Sequence, residues 1–134
     1  SLTFMLPNGV VIDSSAPDAN EILRRTSPDI ADGIMALKAE IEANAQLVEK
    51  IRRKYKIKNT IGYSINAFLD YETPVEILRH LMVGSEGTLG FIAEAGFHTV
   101  PDLPMKSTAL LFFQTVADAC ASIVALRDSG AAAL

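Results

Sequence analysis

The spacing of apolar residues predicts the first elements of the chain. Residues 4–6 and 10–12 are apolar runs on either side of Pro7-Asn8-Gly9. Proline presets φ, and asparagine and glycine tolerate positive φ, so this tripeptide favours a tight turn. The pattern therefore predicts a β-hairpin over residues 4–14.

A helical period follows the hairpin. After Ser27, apolar side chains return every three or four residues, which is typical of one face of a helix. They are Ile30, Ile34, Leu37 and Ile41. The stripe resumes at Val48, Ile51 and Tyr55, so the helix either continues or breaks near Asn44.

Capping residues predict where helices begin. Ser15 and Ser27 each stand before a proline and an early acid, which is an N-terminal helix signal. Thr73 and Glu76 form a capping box with a proline at the first helical position, and they predict a short helix. Residues 56–68 predict an extended or irregular connector.

The second half of the chain alternates loop, strand and helix. A glycine-rich loop occupies residues 83–90, and a strand is predicted over 91–100. Two prolines within 101–104 predict a linker. Beyond it, residues 107–114 predict a buried strand. Thr115 caps a predicted helix that ends at Gly130, where a new apolar segment begins.

These elements predict an α+β fold, with an antiparallel or mixed sheet flanked by helices. We expect one domain over residues 1–104 and the start of a second over residues 105–134. The chain begins without a methionine, and a new element starts just before its last residue. We therefore expect a piece of a longer protein, called the parent protein below.

The composition narrows the class of protein. Of 134 residues, 49% are hydrophobic, which is enough for a packed core and excludes wholesale disorder. A net charge of -4 argues against a nucleic-acid-binding surface. The single cysteine cannot form an internal disulfide, and no apolar run is long enough to span a membrane. The first residues also lack a signal-peptide pattern.

The glycine-rich loop is the segment most informative about chemistry. Gly84, Gly87 and Gly90 are spaced by three, unlike the GxGxxG dinucleotide fingerprint or the Walker loop. No helix N-terminus follows to hold a pyrophosphate. Glycine allows close approach to the backbone, and Gly90 stands at a strand entrance, where such approach is typical. Two explanations stay open: a tight turn that requires positive φ, or a backbone surface that binds a flat heteroaromatic ligand.

Two runs of residues resemble the FAD-linked oxidase family, flavoproteins with the vanillyl-alcohol-oxidase (PCMH) type of FAD domain. Residues 58–67 read Lys-Asn-Thr-Ile-Gly-Tyr-Ser-Ile-Asn-Ala, and residues 81–92 read Leu-Met-Val-Gly-Ser-Glu-Gly-Thr-Leu-Gly-Phe-Ile. They are most similar to D-2-hydroxyacid dehydrogenases, which include D-lactate, glycolate and D-2-hydroxyglutarate dehydrogenases. The resemblance implies that residues 1–104 form part of the second lobe of a two-lobed FAD-binding domain. Residues 105–134 would be the first strand–helix unit of a truncated substrate or cap domain.

The resemblance also implies a flavin site on the glycine-rich loop. In the family this segment lines the flavin mostly through backbone atoms, and the Gly-Tyr turn lies near it. The implied cofactor-binding residues are Gly62, Tyr63, Gly84, Ser85, Glu86, Gly87, Thr88, Gly90, Phe91 and Ile92. Ile61 and Phe91 depart from the residue types that are common in the family, but both are compatible with an apolar wall.

The implied activity of the parent protein is oxidation of a D-2-hydroxy acid, D-lactate or D-2-hydroxyglutarate, to the 2-oxo acid. Hydride would pass to FAD, and electrons would pass to an iron–sulfur, quinone or protein acceptor. The family's pyrophosphate-binding loop and its His-x-x-His-like motif have no counterpart here. We therefore expect no catalytic residue or metal site in the chain, no activity and no tight FAD binding by the chain alone.

The resemblance extends to partners and location. The partners implied are FAD, the small hydroxy acid, the missing first lobe, the cap domain and an electron acceptor. An iron–sulfur cluster elsewhere in the parent chain is also compatible with it. A cytoplasmic location is implied, with or without peripheral attachment to the inner face of a membrane.

A non-catalytic α+β interaction module is the alternative function, in which the helical stripe and the loop serve packing and partner contact. His80, in a helix, and His98, in a strand, are expected to be structural or surface residues. Cys120 is expected to be a small buried residue. The basic residues within 52–58 predict a solvated helix end or a contact to a phosphate or to the missing lobe.

Overall fold

The computed structural model describes residues 1–102 and 104–130. The chain divides into two compact units, Ser1–His98 and Thr99–Leu134. The predicted segment after Gly130 and Leu103 of the predicted linker lie outside the described residues.

The first unit contains a three-stranded antiparallel sheet. Its strands are β1 (Leu2–Met5), β2 (Val11–Asp13) and β3 (Phe91–Ala95), in the order β2-β1-β3. The predicted hairpin is confirmed, because β1 pairs with β2 and Phe4 lies opposite Ile12. Gly9 adopts a φ of 84° in the turn, as the Pro-Asn-Gly signal requires.

Six helices occur in the described residues. They are α1 (Ala19–Thr26), α2 (Pro28–Ala43), α3 (Ala45–Lys54), α4 (Ala67–Asp70), α5 (Pro74–Met82) and α6 (Val116–Asp128). The predicted stripe breaks at Asn44, whose side chain accepts a hydrogen bond from the backbone N–H of Leu47 at 3.0 Å and caps α3. The combination of these helices with a small antiparallel sheet makes the fold α+β.

The capping predictions differ in their outcome. The box at α5 is confirmed, because the Thr73 hydroxyl accepts from the Glu76 backbone N–H and donates to its carboxylate. The prediction that Ser27 caps α2 by its side chain is wrong. That hydroxyl is buried and accepts a hydrogen bond from Asn8 Nδ2 at 2.8 Å, so it joins α2 to the hairpin turn instead. Ser15 likewise bonds to Asp13 and not to a helix end.

The core lies between the inner face of the sheet and the helices. Its largest fully buried apolar side chains include Phe4, Ile12, Leu23, Ile77 and Met82. Burial of this kind stabilises the fold by about 25 cal/mol per Å² of apolar surface removed from water.

The buried face of α2 is rotated from the predicted stripe. Ala31, Ile34 and Lys38 are buried, whereas Leu37 is half exposed. Lys38 replaces an apolar residue at the core margin because its ammonium group is satisfied there. It donates to the Phe68 carbonyl at 3.0 Å and pairs with the Glu42 carboxylate at 2.8 Å.

The second unit is dominated by α6, which begins as predicted. Thr115 caps it by accepting from the Asp118 backbone N–H at 3.1 Å, and Gly130 ends it with a φ of 85°. The predicted strand over residues 107–114 is wrong. These residues are exposed, and no strand lies beside them within the described part of the second unit to complete a ladder. Cys120 is exposed and not buried as expected.

Within residues 1–102 and 104–130, no helix combines the length and apolar character needed to cross a membrane.

Candidate functional site

The glycine-rich loop contains a tight turn with two positive φ angles. The Thr88 backbone N–H donates to the Ser85 carbonyl at 3.0 Å, and the intervening Glu86 and Gly87 have φ angles of 53° and 79°. Positive φ at both central positions is the pattern of a type I′ turn, for which glycine is favoured. One of the two open explanations of this loop, the turn requirement, therefore holds at Gly87.

Gly90 has a different physical role. A Cβ atom at this position would lie 2.5 Å from the carbonyl oxygen of Met5 and 2.7 Å from Cε of Met82. The predicted close approach at the strand entrance is therefore present, and the group that approaches is the backbone of β1. Glycine here allows β3 to pair with β1 while the end of α5 packs beneath.

The two runs of residues that carry the family resemblance lie against each other. The Tyr63 hydroxyl is 2.6 Å from the Thr88 hydroxyl, which donates its only proton to the Ser85 carbonyl at 2.6 Å. Tyr63 is therefore the donor to Thr88. A Cβ on Gly84 would lie 3.2 Å from the Gly62 carbonyl. The Gly-Tyr turn thus supports the glycine-rich loop along its length.

Tyr55 extends this support to α3. Its hydroxyl donates to the Tyr63 carbonyl at 2.9 Å and accepts from the Ile65 backbone N–H at 3.2 Å. The spacing of apolar residues predicts for Tyr55 only a position on the apolar face of a helix. Its position at the C-terminal end of α3, ten residues before Ile65, is the only sequence signal that could have indicated this contact.

The loop borders an open, apolar surface depression of about 490 Å³. Seven of the ten predicted site residues line it, namely Gly84, Ser85, Glu86, Gly87, Gly90, Phe91 and Ile92. Thr88 lines a neighbouring depression with Met5 and Phe91. Gly62 and Tyr63 line neither of these two depressions, and they contact the loop from behind.

Five further residues of the depression were not singled out from the sequence. They are Leu2, Met82, Val83, Ala95 and Phe97. Val83 begins the predicted loop 83–90 and Phe97 lies within the predicted strand 91–100, and both are strongly exposed for apolar side chains. Met82 ends α5 and belongs to the run 81–92, directly before the loop, whereas nothing in the spacing of Leu2, on β1, links it to the loop.

Strand β3 forms the open edge of the sheet beside this depression. Paired residues of an antiparallel ladder project to the same side. Ile92, opposite Phe4, lies on the core side, and Phe91, opposite Met5, lies on the outer side. Both are exposed, since no strand or helix of the described first unit covers this edge. The surface around Gly87 is therefore open and not sealed inside the first unit.

The turn offers hydrogen-bond donors at the margin of the depression. Over residues 1–102 and 104–130, the backbone N–H groups of Glu86 and Gly87 find no acceptor. The Glu86 side chain has no hydrogen-bond or ion-pair partner in the same range. An apolar wall with free backbone donors at its margin can hold a flat aromatic ligand that has a polar edge.

The two histidines lie close to this region. His80 stacks on Tyr71 with a ring separation of 3.9 Å, and His98 is exposed after the end of β3, not in a strand as predicted. Burial, reinforced by the Arg79 charge, lowers the pKa of His80 from its ordinary value of 6.5. No group of His, Cys, Asp or Glu side chains in the described ranges is arranged to hold a metal ion.

The basic residues after Lys50 surround the end of α3. Arg52, Arg53 and Lys54 occupy its last turn, where positive charge is favourable. The structure agrees with the solvated helix end, one of the two alternatives considered for this run.

Comparisons of the chain with protein-family models, with curated proteins and with solved structures gave no match.

Proposed function

We propose that the chain forms part of the flavin-binding wall of an FAD-dependent dehydrogenase that oxidises a D-2-hydroxy acid to the 2-oxo acid. One observation carries the proposal. The Gly-Tyr turn and the glycine-rich loop, the two runs that resemble the FAD-linked oxidases, contact each other through Tyr63 and Thr88 beside an open apolar surface.

The residues of the depression fit the isoalloxazine ring of FAD. Phe91, Ile92 and Val83 offer exposed apolar surface for the ring, and the free N–H groups of Glu86 and Gly87 offer donors to its polar edge. Glu86 and Gly87 are both exposed, so the turn that carries these N–H groups is open to a ligand. These features support a flavin wall, and the first lobe and the cap domain would complete the site.

The residues of this chain would bind and orient the cofactor. When bound, FAD would supply the hydride acceptor for oxidation of the hydroxy acid. The apolar side chains would exclude water from one side of the ring. Tyr63 would hold the Ser85–Thr88 turn in place through Thr88, so that the backbone donors keep their direction.

A specific observation also favours the alternative, a non-catalytic interaction module. All five residues of β3 are exposed, and an uncovered edge strand is a template for another chain. In this alternative the depression receives a side chain of a protein partner and not a cofactor.

The visible spectrum of the purified parent protein discriminates between the two. We expect a yellow protein with flavin absorption bands that bleach when the D-2-hydroxy acid is added without oxygen. A colourless parent protein that also gains no absorption with added FAD would contradict the flavin proposal and leave the interaction module.

A pair of tyrosine variants tests the site itself. Tyr63→Phe removes the hydroxyl that supports the turn, and we expect the parent protein to retain less FAD. Tyr71→Phe is the matched control, because within the described ranges its hydroxyl forms no hydrogen bond. Equal FAD occupancy in both variants would contradict a role of the Tyr63–Thr88 contact in FAD binding.

A further inference from the structure

Another cavity, of about 300 Å³, lies beside the apolar depression of the loop and is lined by basic side chains. Arg79 and His80 reach it from the last turn of α5, and His98 reaches it from the segment after β3. None of the described residues that line it is acidic. Arg79, His80 and His98 take no part in the proposed flavin wall, although Leu2, Val83 and Phe97 line both cavities.

His80 is held in a defined orientation. Its ring lies nearly parallel to the Tyr71 ring, at an angle of 7°. Nε2 of His80 is 3.1 Å from Nη2 of Arg79. Because a guanidinium group can only donate, Nε2 accepts this bond, and the proton of neutral His80 is on Nδ1.

Burial and the neighbouring charges favour the neutral form of His80 when no anion is present. Burial and then the Arg79 charge lower its pKa. Glu76 on α5 and Asp70 on α4 oppose them without cancelling the effect. An anion placed beside Arg79 would raise the pKa of His80, because it would favour the protonated ring.

We propose that Arg79, His80 and His98 form a binding site for a phosphate group. Arginine presents a planar fork of donors to such an oxyanion, and two imidazoles add donors from other directions. Three basic side chains suit the several oxygens of a tetrahedral phosphate better than the two oxygens of a carboxylate. The group can be free phosphate or the phosphate of a nucleotide, since both present the same oxygens.

Proton NMR of the two histidines tests the proposal directly. The chain has only two histidines, so His98→Asn assigns both imidazole signals. We titrate inorganic phosphate at constant ionic strength, with chloride as the control anion. Both imidazole signals should shift in a saturable way at millimolar phosphate, and the pKa of His80 should rise. By linkage, phosphate should then bind more tightly as the pH falls.

Variants show whether the named residues are responsible. Arg79→Gln should weaken phosphate binding by about tenfold or more, since a charge-assisted contact is lost. Arg24→Gln, an exposed arginine on α1, is the matched control and should leave binding unchanged. His98 is exposed and outside regular structure, so His98→Asn should weaken binding without loss of folding.

Adenosine monophosphate distinguishes the two sources. Tighter binding than inorganic phosphate supports a nucleotide ligand, and equal binding supports free phosphate. The proposal is overturned if neither anion shifts the histidine signals more than chloride does. It is also overturned if folded Arg79→Gln and His98→Asn both bind phosphate as tightly as the unmodified chain. Neither result depends on whether the parent protein contains a flavin.

Discussion

Substitution of two glycines of the glycine-rich loop, Gly90 and Gly87, should destabilise the first unit for different reasons. At Gly90 the φ angle is ordinary, but an added Cβ would lie 2.5 Å from the Met5 carbonyl oxygen. Carbon–oxygen contacts in β-sheets are normally about 3.3–3.6 Å, so the chain must move by roughly 0.8 Å. Met82 Cε can rotate away, whereas the Met5 carbonyl belongs to the β1–β3 pair and cannot move alone. We expect Gly90→Ala to destabilise the first unit by about 1–3 kcal/mol.

At Gly87 the situation is reversed. No atom lies within 4 Å of an added Cβ, but the residue has a φ of 79°. Alanine in this left-handed conformation costs roughly 1–2 kcal/mol, and asparagine costs less because it tolerates that region. Gly87→Asn should therefore be milder than Gly87→Ala. At Gly90, asparagine should be at least as harmful as alanine, since the obstacle there is space.

Urea unfolding followed by tyrosine fluorescence measures these four variants. All three tyrosines, Tyr55, Tyr63 and Tyr71, lie in Ser1–His98, so the signal reports on the first unit alone. A Gly90→Ala variant with unchanged stability would refute the packing argument. If asparagine were milder than alanine at both positions, the φ angle and not the lack of space would explain why residue 90 is glycine.

Three further changes test other contacts of the first unit. Tyr63→Phe should lower the unfolding free energy of the first unit in urea titrations, by less than about 1.5 kcal/mol. A variant as stable as Tyr71→Phe would contradict the hydrogen bond from Tyr63 to the loop. Lys38→Ala should cost about 1–3 kcal/mol, because the buried Phe68 carbonyl loses its donor, whereas exposed Lys50→Ala should cost almost nothing. Because burial and the neighbouring guanidinium lower the pKa of His80, the unfolded chain binds more protons, so stability should fall as the pH drops below 6.5. His80→Gln should reduce that loss of stability. An unchanged dependence of stability on pH in this variant would contradict the lowered pKa of His80.

The candidate site could be predicted from the sequence only as a set of neighbours along the chain. The predicted site residues that line the depression all lie within the run 81–92, so the resemblance of that run was enough to name them as candidates. Leu2 completes the same depression from β1, and no local pattern links it to the loop. The contact between Tyr63 and Thr88, 25 residues apart, also depends on how the connector folds back.

Local signals were reliable where a few adjacent residues determine the conformation. The Pro-Asn-Gly turn and the Thr73 capping box are formed by backbone and side-chain groups within a few positions of each other, so the sequence alone determined them. Whether Ser27 caps its helix or bonds to Asn8 depends on a partner 19 residues away. The buried face of α2, with Lys38 in place of Leu37, and the Met5 carbonyl that requires Gly90 were likewise decided by the tertiary structure. Packing brings distant groups within contact distance, and only that contact determines which polar groups are satisfied and where a side chain has no room.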